Sequence, residues 1–126
     1  MKSLVTIFTL VFTVMFSSTS FAEWTKVGKN VRGTFYVDFE RIRKHGGYVY
    51  FWYMTDLLKP EDGVLSDKIY VQGDCKLFRY KWLGLSFHTE PMGRGTGLID
   101  NNQDKEWAYP SPRSALDPIL KSVCSR

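Results

Sequence analysis

Tyr48-Val49-Tyr50-Phe51-Trp52-Tyr53-Met54-Thr55-Asp56-Leu57 is the stretch on which the fold turns. Successive side chains of an extended chain point to opposite sides, so Tyr48, Tyr50, Trp52 and Met54 share one face and Val49, Phe51 and Tyr53 the other. Both faces are apolar. A strand with one face in water alternates apolar with polar residues, so this one is expected to lie centrally in a sheet. A helix or second layer would then cover one face, and an aromatic surface or a partner the other.

On the N-terminal side, Trp24 to Val27 reads as a short strand ended by the turn Gly28-Lys29-Asn30, and Thr34 to Asp38 as a second strand. Phe39 to Lys44 is either one helical turn or a charged connector, and it stops at Gly46-Gly47. On the C-terminal side, Lys59-Pro60-Glu61-Asp62-Gly63 predicts a polar turn, because Pro fixes φ and Asp-Gly tolerates a sharp reversal. Lys68 to Gln72 resumes strand character, with Gly73-Asp74 as an interruption before Cys75. From Lys76 to Leu83 the alternation sets Phe78, Tyr80 and Trp82 against Leu77, Arg79, Lys81 and Leu83, the mark of a half-exposed strand. Residues 88–105 hold Pro91, Gly93, Gly95 and Gly97 and predict a long loop or an irregular hairpin, and Trp107 to Tyr109 a last short strand.

The end of the chain carries a helical pattern: Leu116, Ile119, Leu120, Val123 and Cys124 recur at spacings of three and four. Asp117 is the expected N-cap, with Pro118 as the first helical residue, and Ser114 with Asp117 offers capping-box spacing as the alternative. Cys124 thus lies on the packing stripe. Strict alternation puts Cys75 with Arg79 and Lys81, away from a core-facing helix, so a bridge between the two requires a bulge or break near Gly73 to Cys75.

Residues 1–22 have the three parts of a secretory signal: Lys2, an uncharged apolar run from Leu4 to Phe16, and small residues at Ser20 and Ala22. The run is shorter than the about 20 residues of a spanning helix, so cleavage after Ala22 is expected, leaving residues 23–126 as one domain without a transmembrane anchor. A lipoprotein signal needs a Cys at the first mature position, where this chain has Glu23. In an oxidising compartment Cys75 and Cys124 allow a single disulfide pairing, and a metal ligand or reactive thiol is the competing reading. Closing a loop of about 50 residues would contribute roughly 4 kcal/mol in the chain-entropy model.

The formal net charge of +4, to which Lys2 contributes, is mild, and acids and bases are interspersed. Charge therefore gives no nucleic-acid footprint. His45 and His88 have no nucleophile at a telling spacing, and Gly93-Arg94-Gly95-Thr96-Gly97 lacks both the phosphate-loop spacing and its strand-helix setting. No enzyme activity, cofactor or metal site is expected. The candidate ligand surface consists of the basic Arg41, Arg43 and Lys44, the aromatic Tyr48, Tyr50 and Trp52, and Arg79 and Lys81. Rings beside cations also suit single-stranded nucleic acid, but export argues against that partner.

An ordered series of residues resembles the surface-adhesin protein E family of bacterial exported proteins. It runs through Trp24, Tyr36-Val37-Asp38, Ile42-Arg43-Lys44, Trp52, Asp74-Cys75-Lys76, Trp107, Pro110 with Ser114, and Val123-Cys124. The resemblance implies an α+β fold: a small antiparallel sheet with a C-terminal helix packed on one face and tied there by a disulfide corresponding to Cys75 and Cys124. It further implies kinship with an outer-membrane lipoprotein that binds laminin, vitronectin and plasminogen, although this chain lacks the lipid-bearing Cys. The expected function is that of an exported, non-enzymatic binding module contacting extracellular-matrix or envelope proteins or glycans. The alternative is a small periplasmic structural or accessory protein that pairs with a second copy of itself.

Overall fold

The structure is a computed structural model that describes residues 23–100 and 106–126. The expected signal segment 1–22 and part of the loop expected over 88–105 lie outside the described residues. Among the described residues seven antiparallel strands form one sheet: β1 (Thr25–Lys29), β2 (Gly33–Val37), β3 (Arg43–His45), β4 (Tyr48–Glu61), β5 (Val64–Asp74), β6 (Arg79–His88) and β7 (Gly97–Asp100). The order is β1-β2-β4-β5-β6-β7, with β3 also pairing with β4. A C-terminal helix, α1 (Leu116–Cys124), lies over one face.

The long aromatic strand sits centrally, as its two apolar faces require. β4 pairs with β5 along one side and with β2 and β3 along the other. Its odd-numbered residues Val49, Phe51 and Tyr53 join Phe35 and Val37 of β2, Ile69 and Val71 of β5, and Leu116, Ile119, Leu120 and Val123 of α1 in the core. Gly73 is what lets the helix seat there. A Cβ at this position would lie 2.9 Å from both Leu120 Cδ1 and Val49 Cγ2, closer than packed carbons tolerate. Glycine here makes room for the helix and does not break β5, which runs through Gly73 to Asp74.

Several expectations shift in position. The turn predicted over Lys59 to Gly63 shrinks to Asp62-Gly63, whose φ of 50° and 78° suit a two-residue hairpin. Lys59-Pro60 falls instead in an irregular stretch of β4, between the pairs Asp56↔Ser66 and Glu61↔Val64, where the missing Pro N–H costs no ladder bond. β1 runs on through Gly28 to Lys29 by a bulge between Lys26 and Gly28, and the reversal falls at Asn30, whose Oδ1 accepts from the Arg32 and Gly33 amides. Phe39 to Lys44 resolves into a 3-10 turn, Phe39–Arg41, followed by β3. Trp107 to Tyr109 contributes one bridge, Tyr80↔Ala108, and no full strand.

The disulfide forms, with the two Cα atoms 5.6 Å apart. The geometric conflict over Cys75 disappears because β6 begins at Arg79, and Cys75 sits in the preceding turn with Phe78 at φ 51°. Asp74 builds that turn by accepting from the amides of Lys76 and Leu77. The extra residue in β6 is Leu83, since Val71 pairs with Trp82 and Tyr70 with Gly84. The cap of α1 also differs: Ala115 is the N-cap, Asp117 and Pro118 are already helical, and Asp117 pairs with Lys121 at 3.1 Å. The helix thus starts at Leu116, two residues before the Pro118 start that the Asp117 signal gives.

Candidate functional site

The sheet face opposite α1 carries the even-numbered residues of β4. Tyr48, Tyr50 and Trp52 are each partly exposed there, and Tyr70 of β5 joins them because the register pairs it with Trp52. The Trp52 and Tyr70 rings are 4.9 Å apart, and those of Tyr50 and Tyr70 6.4 Å. Such contacts fix ring orientation as well as covering area. The Pro91–Gly93 turn closes one end of this face. Gly93 N–H donates to Ser66 Oγ, Ser66 Oγ to the Glu90 carbonyl, and Met92 N–H to Asp56 Oδ1. Met54 and Ser66 are fully buried beneath it, so the aromatic row ends at Trp52.

Trp107 occupies the other end. The backbone bridge between Tyr80 and Ala108 holds it, and its ring lies 5.4 Å from that of Tyr48. Arg79 and Lys81 stack on Trp107 at 4.3 and 4.5 Å from the ring centroid. Arg79 Nε also donates to Asp74 Oδ2 at 2.8 Å. This bond holds the Asp74 carboxyl below its ordinary range and raises Arg79 above its own. Both groups stay charged, and the pair anchors the cation against the indole.

Two adjoining clefts flank Trp52. One, of about 380 Å3, is lined by Glu40, Arg41, Ile42, Arg43, Trp52 and Tyr70. The other, of about 330 Å3, is lined by Trp24, Asp38, Arg41, Trp52, Lys68 and Ser86. Of the residues singled out in the sequence, the fold therefore brings Arg41, Arg43, Tyr48, Tyr50, Trp52, Arg79 and Lys81 to one face. Lys44 departs from them: it pairs with Val49, whose side chain is in the core, and its Nζ donates to the Arg126 carbonyl at 3.0 Å.

Trp24, Asp38, Lys68, Tyr70 and Trp107 also line this face or its clefts, although they were not among the candidate ligand residues. Tyr70 and Lys68 were within reach, since alternation along the strand at Lys68 to Gln72 puts both on one face. Trp24 and Asp38 come together because Thr25 pairs with Val37, a register that the sequence does not display.

The architecture defines a small disulfide-tied α+β domain, with one sheet face sealed by a helix and the other presenting rings and cations. The chain belongs to the surface-adhesin protein E family, whose model matches residues 24–125. Its fold is that of protein E of Haemophilus influenzae. One crystal form of that protein superposes with a TM-score of 0.65 at 20% identity, covering 85% of this chain and 91% of the other. A second structure gives 0.63 at 20% identity, with 85% and 87% covered. The structure from a non-typeable strain gives 0.61 at 20% identity, with 86% and 79% covered. No curated protein sequence matches the chain.

Proposed function

We propose that this chain is an exported, non-enzymatic surface adhesin whose open sheet face binds a protein or glycan ligand of acidic character. One observation carries the reading: a partly exposed row of Tyr48, Tyr50, Trp52 and Tyr70 with Arg41, Arg43, Arg79 and Lys81 around it. Aromatic rings and arginines are the side chains that contribute most per residue to interfaces. Membership of the adhesin family supports the same reading. Export rests on residues 1–22, with cleavage after Ala22, and intact-mass analysis of the exported protein should find Glu23 at its N-terminus.

The test of binding is capture on immobilised laminin, vitronectin, plasminogen, envelope proteins and acidic glycans. Saturable capture that falls in a Tyr50→Ala/Arg43→Glu double variant supports the proposal, and absence of any saturable ligand defeats it. A second reading, self-association, draws on Leu98 and Ile99 of edge strand β7, each 74% exposed. Light scattering decides that point: a dimer that Ile99→Lys dissociates supports it, and a monomer at all concentrations removes it.

A further inference from the structure

The pocket beside Trp52 holds a group whose bonding is incomplete. Asp38 lines it and is only 2% exposed, yet its Oδ1 has no hydrogen-bond partner among the described residues. Its Oδ2 meets only Arg41 Nε, at 3.4 Å, a long contact for a charge-assisted pair. Buried carboxylate oxygens are nearly always satisfied. An unmatched acceptor lining a pocket can take a donor supplied from outside. The Arg41 side chain is 61% exposed, so it can swing aside and open the way to Asp38. Asp38 itself is fixed, since its N–H donates to the Trp52 carbonyl and its carbonyl accepts from Arg41 N–H.

We propose that this pocket, between Trp24 and Trp52, is a subsite for one acidic sugar residue, an extension that rests on the open face being the ligand surface. The two indoles offer flat apolar walls for the C–H face of a pyranose, and Tyr70 holds Trp52 in place. Ring hydroxyls supply the donors that Asp38 Oδ1 lacks. Lys68 and Arg41 line the same pocket and Arg43 the adjoining one, so a carboxylate on the sugar meets cations on one side while its hydroxyls meet Asp38. The same charges disfavour an ammonium-bearing ligand, because Asp38 is outnumbered. A volume of about 330 Å3 lies at the small end of ligand sites, suited to a single ring with the rest of the chain passing along the Tyr50–Tyr70 row.

Tryptophan fluorescence titration and saturation-transfer NMR test this with oligosaccharides ending in glucuronate, in sialate and, as the neutral control, in glucose. Either acidic end should bind about tenfold more tightly than glucose, and Asp38→Asn should weaken it by about tenfold, since a neutral amide oxygen accepts the sugar hydroxyls more weakly than a carboxylate does. Trp24→Ala should reduce the fluorescence response, Lys68→Met should lower the preference for acid, and Lys121→Ala on the exposed side of α1 should change nothing. Thermal melts check that each variant folds, and Lys68→Met keeps the test decisive if Asp38→Asn does not. Absence of binding by all three sugars, or binding indifferent to both Asp38→Asn and Lys68→Met, overturns the subsite. If protein capture still depends on Tyr50 and Arg43 in that case, the open face stands as a protein-binding surface. If capture is also indifferent to them, the broader reading falls separately.

Discussion

The two faces of the sheet are built from the same strands, and alternate residues of β4 serve both. On the covered face the side chains are mostly aliphatic and sealed: Phe51, Val71, Ile119, Leu120 and Val123 are 0% exposed. On the open face they are tyrosines, tryptophans and cations held by ring stacking and ion pairing. The difference teaches where stability and recognition are kept apart. Damage to the covered face should unfold the domain, and damage to the open face should leave it folded and alter what it touches.

Breaking the tie between helix and sheet should have the largest effect. The double variant Cys75→Ser/Cys124→Ser should lose about 4 kcal/mol in urea denaturation, because the bond closes a loop across a sequence separation of 49. Gly73→Leu comes next. Its side chain would meet Leu120 and Val49, and the overpacked core should cost about 1–3 kcal/mol, with α1 the first segment to lose amide-exchange protection. Trp107→Ala probes the open face and should cost about 1 kcal/mol, largely the ring contact with Tyr48. It should also leave the Arg79 and Lys81 side chains freer, read by NMR relaxation, and lower the melting temperature by about 4–8 °C.

The smallest effect is also the sharpest contrast, because one carboxylate on each side responds to pH with opposite sign. On the covered side burial raises Asp67 above its ordinary value, against the hydrogen bond it accepts from Thr55 N–H. The neutral form is then favoured in the fold, so this contribution is full below the unfolded value of 3.8 and is lost as pH rises through the folded one. On the open side the hydrogen bond from Arg79 lowers Asp74, so its contribution is present above 3.8 and is lost as pH falls through the folded value. Urea denaturation over an acidic pH series should show Asp67→Asn removing a stability loss on raising pH, and Asp74→Asn removing a gain. Equal slopes in the two variants would contradict the assignment.

The strand at Tyr48 to Leu57 was legible because period-two alternation with two apolar faces has one comfortable home, the middle of a sheet. The helix face was legible for the matching reason at period 3.6. What stayed hidden depends on pairing. Gly73 reads as a breaker until Leu120 is placed over it, Lys59-Pro60 reads as a turn until Glu61 pairs with Val64, and alternation misplaces Cys75 because Phe78 reverses the chain just before β6. At the candidate site Arg41, Arg43 and Trp52 stood out by residue type. Trp24 and Asp38 gained meaning only when β1 was set in register against β2, and Lys44 lost it when β3 turned its side chain to the helix side.

The bond between Cys75 and Cys124 gives the proposed export a direction. α1 has nine residues, fewer than the about 12–15 at which an isolated helix begins to persist in water, so without the bond it is held by packing and by the Lys44 contact to the Arg126 carbonyl just beyond it. A reduced chain is expected to open first at that end, uncovering Phe51 and Val71, which pack with the helix in the core. If the chain is exported as proposed, oxidation at its destination would pin the helix after passage and keep the chain from slipping back.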